Sequence, residues 1–277
     1  MLALKRNIYR FSEYLGRGLA NSVDETLSAI KVITLVLGSL SNLTKKSKRQ
    51  IFYRFFFSRV ASVTTQIAPS ILILSLLITA TIGFGFSKQA GKLVEHDLLP
   101  ILGMGNGYFF NIVAYELAPL LVGMIFITSS GASMTAEIAQ RKIRNEFATF
   151  RSLGIDPVFL FLLPVLLVYP FLMVVSIIYF DLISIFSYHL SIGQLDLFYD
   201  KGYTYYFSQT LSEKGFIVSI VKMIFGGLII AIISINHGTR IQMANSGLPI
   251  VISNSTASQL IFFVSMNAVI SIIGYLI

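Results

Sequence analysis

Cysteine is absent from this sequence of 277 residues. That excludes disulfides and thiolate metal sites, and sulfur chemistry leaves the redox compartment unread. Charge is nearly as scarce: Asp, Glu, Lys and Arg make up 12% of the chain, about half of the roughly 25% usual in soluble domains. Hydrophobic residues make up 55% and the mean hydropathy is +0.77. They fall in runs of about twenty or more, where a soluble core would break every few positions for a polar face. One membrane domain is the simplest reading. Histidine is rare as well, and His96, His189 and His237 share no metal-ligand spacing. No metal site and no Ser/His/Asp arrangement is therefore expected.

Soluble-enzyme signatures are also missing. In GFSKQAGKL, from Gly85, the Gly91-Lys92 pair comes one residue late, and Leu93 stands where a phosphate loop needs Ser or Thr. GMGNG, from Gly103, lacks the spacing of a dinucleotide loop. If ATP drives this protein, another chain must hydrolyse it, and no cofactor is expected here.

Five stretches can cross about 30 Å of hydrocarbon: residues 60–86, 112–134, 158–186, 216–235 and 257–277. The fold expected is an all-α polytopic membrane protein. Residues 98–110 are apolar but interrupted by Gly103, Gly105 and Gly107, which suggests a lead-in or re-entrant piece. Ahead of the first span, Val23, Leu27, Ile30, Ile33, Leu37 and Leu40 recur at helical spacing, and the basic KKSKR cluster follows. These predict an amphipathic helix in the headgroup region, the alternative being a sixth span over residues 29–43. Residues 1–59 thus form an interfacial N-terminal region and 60–277 a single five-span domain.

The net charge of +8 would suggest nucleic acid in a soluble protein, but in a membrane protein it reports sidedness. With the N-terminus inside, that side collects 16 Lys or Arg, eleven of them among the first 59 residues, against four on the other side; Lys222 falls within a span. A cytoplasmic N-terminus and an external C-terminus are expected, with no nucleic-acid partner.

Glu116 lies inside the second span, where a carboxylate costs several kcal/mol unless it pairs, protonates or meets water. Steps of seven lead from it to Gly123, Ser130 and Glu137, a stripe suited to close helix packing or to a polar cavity. A protonated Glu at a helix interface and a role in a substrate path both remain open. Pro119 weakens the helix one turn in. The densest charge in the C-terminal three quarters of the chain is TAEIAQRKIRNEFATFRSLGIDP, Thr135 to Pro157. Glu137 with Arg141, and Gln140 with Arg144, suit i,i+4 pairing on a helix. That helix should stop near Gly154, with Asp156-Pro157 opening the next span. Ile138, Ile143 and Phe147 or Phe150 offer an apolar face to the bundle or to a partner.

The stretch from Glu116 to Pro157 resembles permease subunits of the MlaE type. The match lies in Glu116, Leu117 and Pro119, in Thr135 to Ile138, in Lys142-Ile143 and in the closing Leu153 to Pro157. The resemblance implies a homodimeric permease of an ABC system that moves phospholipid between two membranes and maintains outer-membrane lipid asymmetry. Its partners would be ABC ATPase subunits holding ATP and magnesium, MCE-domain periplasmic subunits and, as a further candidate, a small STAS-type regulatory subunit. Residues 135–156 would then be the coupling helix, with Glu137, Arg141, Lys142, Arg144, Glu146, Arg151 and Asp156 meeting the ATPase. Glu116, Pro119, Gly123 and Ser130 would border the lipid cavity. A Gram-negative inner membrane is the implied location, with a chloroplast inner envelope as alternative. The chain departs from the family pattern at Tyr115, at Ser129-Ser130-Gly131, at Ala139 and at Asn145-Glu146, which puts in doubt any Arg partner for Glu116.

Two other functions compete. A secondary transporter could use Glu116 as a proton site, though no internal repeat supports it. A lipid-acting membrane enzyme would have only Asp196 and Asp200 to draw on.

Overall fold

The structure, a computed structural model, describes residues 46–95, 110–192, 212–241 and 247–276, together with residues 34, 38, 108, 205, 208 and 209. The expected amphipathic helix, apart from Thr34 and Gly38, lies outside the described residues, as do residues 98–107, His96, Asp196 and Asp200.

Five helices among the described residues are long and apolar enough to cross a membrane. Helix α1 is Lys46–Glu95. Helix α2 is Phe110–Ile143, the short α3 is Glu146–Ser152, and α4 joins a π-turn, Val158–Leu162, to the α-helix Leu163–Ile192. Helices α5, Glu213–Arg240, and α6, Leu248–Leu276, complete the bundle. The number of spans agrees with the sequence reading and the boundaries move outward. The KSKR of the basic cluster, residues 46–49, forms the first turn of α1, so that helix starts well before residue 60. GFSKQAGKL is helical throughout, so it makes no phosphate loop.

Residues 248–256 read as loop in the sequence and are helix in the structure. Their polar side chains bond within the bundle: Thr256 donates to Ile252 O at 2.9 Å, and Ser255 meets Thr135 of α2 at 2.9 Å. Pro249 sits in the first turn, where its missing N–H removes no bond.

Helix α1 packs chiefly along α4, α5 lies between α4 and α6, and α2 runs through the middle against all of them. The core is aliphatic and aromatic, with Phe126, Tyr169, Phe180 and Phe263 fully buried. Two glycines set helix separations. A Cβ on Gly227 would come within 2.6 Å of Pro170 N in α4, and one on Gly123 within 2.0 Å of the Phe263 ring in α6. Small residues at such crossings let backbones approach closely where lipid supplies no hydrophobic driving force.

The segment between α2 and α4 is a helix–turn–helix, which corrects the single helix expected over residues 135–156. Helix α2 ends at Ile143, Asn145 adopts a left-handed conformation (φ 58°), and α3 follows. Asn tolerates this conformation better than most residues, and the Asn145 carbonyl then accepts from Ala148 N at 3.0 Å. The stop near Gly154 is as expected: Gly154 has φ +74°, and Ile155 N closes back onto Phe150 O at 2.9 Å. Asp156 Oδ1 accepts from Val158 N at 3.0 Å, starting α4 beside Pro157.

Candidate functional site

Pro119 creates the site around Glu116. It has no N–H to give the carbonyl of Tyr115, four residues back, and the chain answers with a π-turn at Val113–Leu117. The freed Tyr115 carbonyl accepts from Lys222 Nζ of α5 at 2.8 Å. The same ammonium lies 2.8 Å from Glu116 Oε1, while Ser271 of α6 donates to Oε2 at 2.8 Å. Three helices thus converge on one carboxylate. Lys222 is 0% exposed and Glu116 29%, so the ammonium is sealed in and the carboxylate reaches an opening.

That opening is a cavity of about 510 Å³ at the end of the bundle opposite α3, lined by Tyr108, Asn111, Tyr115, Glu116, Lys214 and Ser271 among others. Tyr115 forms part of its wall by lying over Gly215, where a Cβ would come within 2.3 Å of the ring. A carboxylate, a nearby lysine and aromatic and aliphatic walls can receive an amphiphile with a charged head. The doubtful arginine partner for Glu116 is replaced by Lys222, from another helix.

The structure does not bring Glu116, Gly123, Ser130 and Glu137 to one surface. Glu116 faces α5 and α6. Gly123 lies under Phe263 of α6. Ser130 bonds Tyr169 of α4 at 3.0 Å, and Glu137 pairs with Arg59 of α1 at 2.6 Å. A seven-residue stripe drifts only about 20° per repeat on a regular helix. Helix α2 is irregular, and a second π-turn at Ile127–Gly131 adds a residue and turns the face away. Pro119 itself is buried.

At the other end, Glu137 is a hub. Arg59 holds it through two nitrogens, at 2.6 and 2.8 Å, and Arg141 contacts it at 3.0 Å while reaching Glu146 at 3.2 Å. The Arg141 guanidinium also stacks 4.2 Å from the Phe161 ring centroid, with Phe147 and Phe150 against the same ring. Helices α1, α2, α3 and α4 are therefore tied together by one charge network and one aromatic cluster. Of the residues expected to meet an ATPase, Glu137, Arg141, Glu146 and Asp156 have partners within the chain. Lys142, Arg144 and Arg151 are exposed, with no side-chain partner among the described residues. Ile138 is buried against Gly238 of α5, whereas Leu153 is 68% exposed and Ile155 43%.

Sequence reasoning passed over two residues of the kind it had singled out at Glu116. They are Lys222, within α5, and Asp181, within α4. The Asp181 Oδ1 atom is buried without a partner among the described residues. The signal for both was visible, an ionisable residue within a long apolar run. His189 bonds the Ile185 carbonyl at 2.9 Å within its own helix.

The sequence model of the family described as Permease MlaE matches residues 56–273. A probable ABC transporter permease protein of Rickettsia conorii is 25% identical over 229 residues, covering 78% of this chain and 82% of that protein. Probable ABC transporter permease proteins of Rickettsia prowazekii and Rickettsia typhi are 28% and 29% identical over 161 residues, covering 53% of this chain and 62% of each relative. The chain thus spans less than two thirds of those two relatives. The family model covers 218 of the 277 residues, from the helix that carries Arg59 through the one that carries Ser271, and the chain belongs to the MlaE permease family.

Proposed function

We propose that this protein is the membrane subunit of an ABC transporter that moves phospholipid between the inner and outer membranes of a Gram-negative cell and so maintains outer-membrane lipid asymmetry. The observation that carries the reading is the Glu116–Lys222 pair, a buried charge centre beside a cavity of about 510 Å³ in a chain of this family. Lipid headgroups carry phosphate and often an ammonium, and the cavity wall offers Lys214 for the first and the Glu116 carboxylate for the second. The subunit works as a homodimer, with the α3 end cytoplasmic and the Glu116 end toward periplasmic MCE-domain subunits. A STAS-type subunit is a further candidate for the cytoplasmic side.

ATP is bound and hydrolysed on a separate ATPase, which docks on the segment between α2 and α4. Arg144 meets its acidic groups, and Leu153 and Ile155 its apolar ones. Because Glu137 and Arg141 bind this segment to α1 and α4, a push on α3 moves three spans together, and α2 carries it to Glu116. The two π-turns in α2 are its compliant points. Proton coupling through Glu116 is the less favoured reading, since both carboxylate oxygens are already engaged, one by Lys222 and the other by Ser271.

The test is to purify the protein from its native membrane in mild detergent, identify what remains bound, and assay ATP-dependent lipid transfer between vesicles. Copurification of an ABC ATPase and an MCE-domain protein, with transfer that stops without ATP, supports the reading. A chain that purifies alone and transfers lipid only under a proton gradient overturns it.

A further inference from the structure

A second cavity, of about 250 Å³, lies at the α3 end, lined by Lys142, Asn145, Arg151, Leu162, Ile235 and Thr239 among others. Lys142 closes α2, Leu162 belongs to the first turns of α4, and Thr239 lies in the last turn of α5. Three span ends meet here, so the cavity sits where the hydrocarbon gives way to headgroups. Its floor is apolar, with Leu162 and Ile235 buried, and its rim carries the two cations.

Those cations are uncompensated. The neighbouring carboxylates are engaged elsewhere: Glu137 by Arg59 and Arg141, Glu146 by Arg141, and Asp156 by the Val158 N–H. Lys142 and Arg151 have no side-chain partner among the described residues. Thr239 gives its own hydroxyl hydrogen to Ile235 O at 2.7 Å.

We propose that this cavity binds the phosphodiester of an anionic phospholipid of the membrane itself, at a site separate from the Glu116 cavity and independent of the transport reading. Paired cations above an apolar floor at a membrane boundary match a phosphate joined to a glycerol and acyl body. Basic pockets between span ends bind anionic headgroups for this reason. Free phosphate would satisfy the rim and leave the floor wet. The volume suits a headgroup, being below the roughly 300–1,000 Å³ of pockets that enclose whole drug-sized ligands.

Since the chain has no cysteine, a single Ala148→Cys substitution at the cavity wall can carry a fluorophore that reports on this site alone. The full chain is placed in nanodiscs containing phosphatidylcholine or phosphatidylglycerol with brominated acyl chains, and quenching is titrated against lipid fraction. Brominated phosphatidylglycerol should quench at much lower fractions than brominated phosphatidylcholine. With K142Q/R151Q added, the half-quenching fraction should rise about thirtyfold, from the roughly fivefold that each cation near an anionic surface contributes. Arg144→Gln, away from the cavity lining, should leave the titration unchanged and shows that folding and overall charge are not the cause.

Equal quenching by the two lipids, or a K142Q/R151Q titration like the parent's, overturns the proposal. Relief of quenching by millimolar inorganic phosphate also overturns it and makes this a free-anion site. So does loss of a bound ATPase in K142Q/R151Q with quenching unchanged, which assigns the rim to a protein contact. Failure of ATP-dependent transfer leaves this titration unaffected, so the two readings fail separately.

Discussion

Lys222 and Glu116 are unequal partners, and the inequality can be measured. Lys222 is fully enclosed, whereas Glu116 keeps 29% of its side-chain exposure and a second partner in Ser271. Glu116→Gln strands a buried ammonium, and breaking a buried pair from one side costs about 3–5 kcal/mol. Lys222→Met strands only a partly solvated carboxylate and one carbonyl, and should cost less. The double variant, with no buried charge left, should recover most of the loss. Chemical denaturation of the four proteins in detergent tests this order, and equal single-variant losses with no recovery would refute the pair. Glu116 could be found from sequence because one carboxylate in an apolar run is conspicuous. Its partner could not, because Lys222 lies 106 residues away and only the packing of α2 on α5 joins them.

Among the helices, α2 shows how far a sequence pattern reaches. Its span is plain from hydropathy, but the stripe from Glu116 to Glu137 assumes a regular helix, and two π-turns break that assumption. Pro119 foretells the first. The second, at Ile127–Gly131, has no proline, and depends on tertiary bonds such as Ser234 of α5 donating to Gly131 O at 3.2 Å. The break at Asn145 was equally hidden, since Asn also fits a helix interior at modest cost. Two predictions belong at this scale. Gly227→Ala forces a methyl against the α4 backbone at Pro170 and should destabilise the bundle by about 1–3 kcal/mol, as overpacking does, seen as a lower thermal midpoint in detergent. Glu137→Gln releases Arg59 and loosens Arg141, so the charge network no longer links α3 and α2 to α1, while Arg141 keeps Glu146. On the transport reading the ATPase should still bind and turn over, while lipid moved per ATP falls severalfold; an unchanged ratio would show that the hub does not transmit force.

For the whole molecule, sidedness is the property on which the functional scheme hangs. Helix α3, the end of α5 and the start of α6 beside Gly247 lie at one end of the bundle, and Glu213 begins α5 at the other. On the proposed function the α3 end is cytoplasmic, the side that the uneven distribution of Lys and Arg favours and where an ATPase can reach it. The absence of cysteine makes the test clean, since any introduced thiol is the only one. Ser152→Cys and Gly247→Cys occupy exposed positions at the α3 end, and Glu213→Cys an exposed position opposite. In intact cells stripped of their outer membrane, a membrane-impermeant maleimide should label Glu213→Cys and spare the other two; in inverted inner-membrane vesicles the pattern should reverse. If Ser152→Cys labels from outside, Arg144, Leu153 and Ile155 cannot meet a cytoplasmic ATPase, and the docking surface must be sought at the Glu116 end. If Ser152→Cys and Gly247→Cys label from opposite sides, one of α4 and α5, the two spans between them, does not cross the membrane, and the five-span arrangement itself fails.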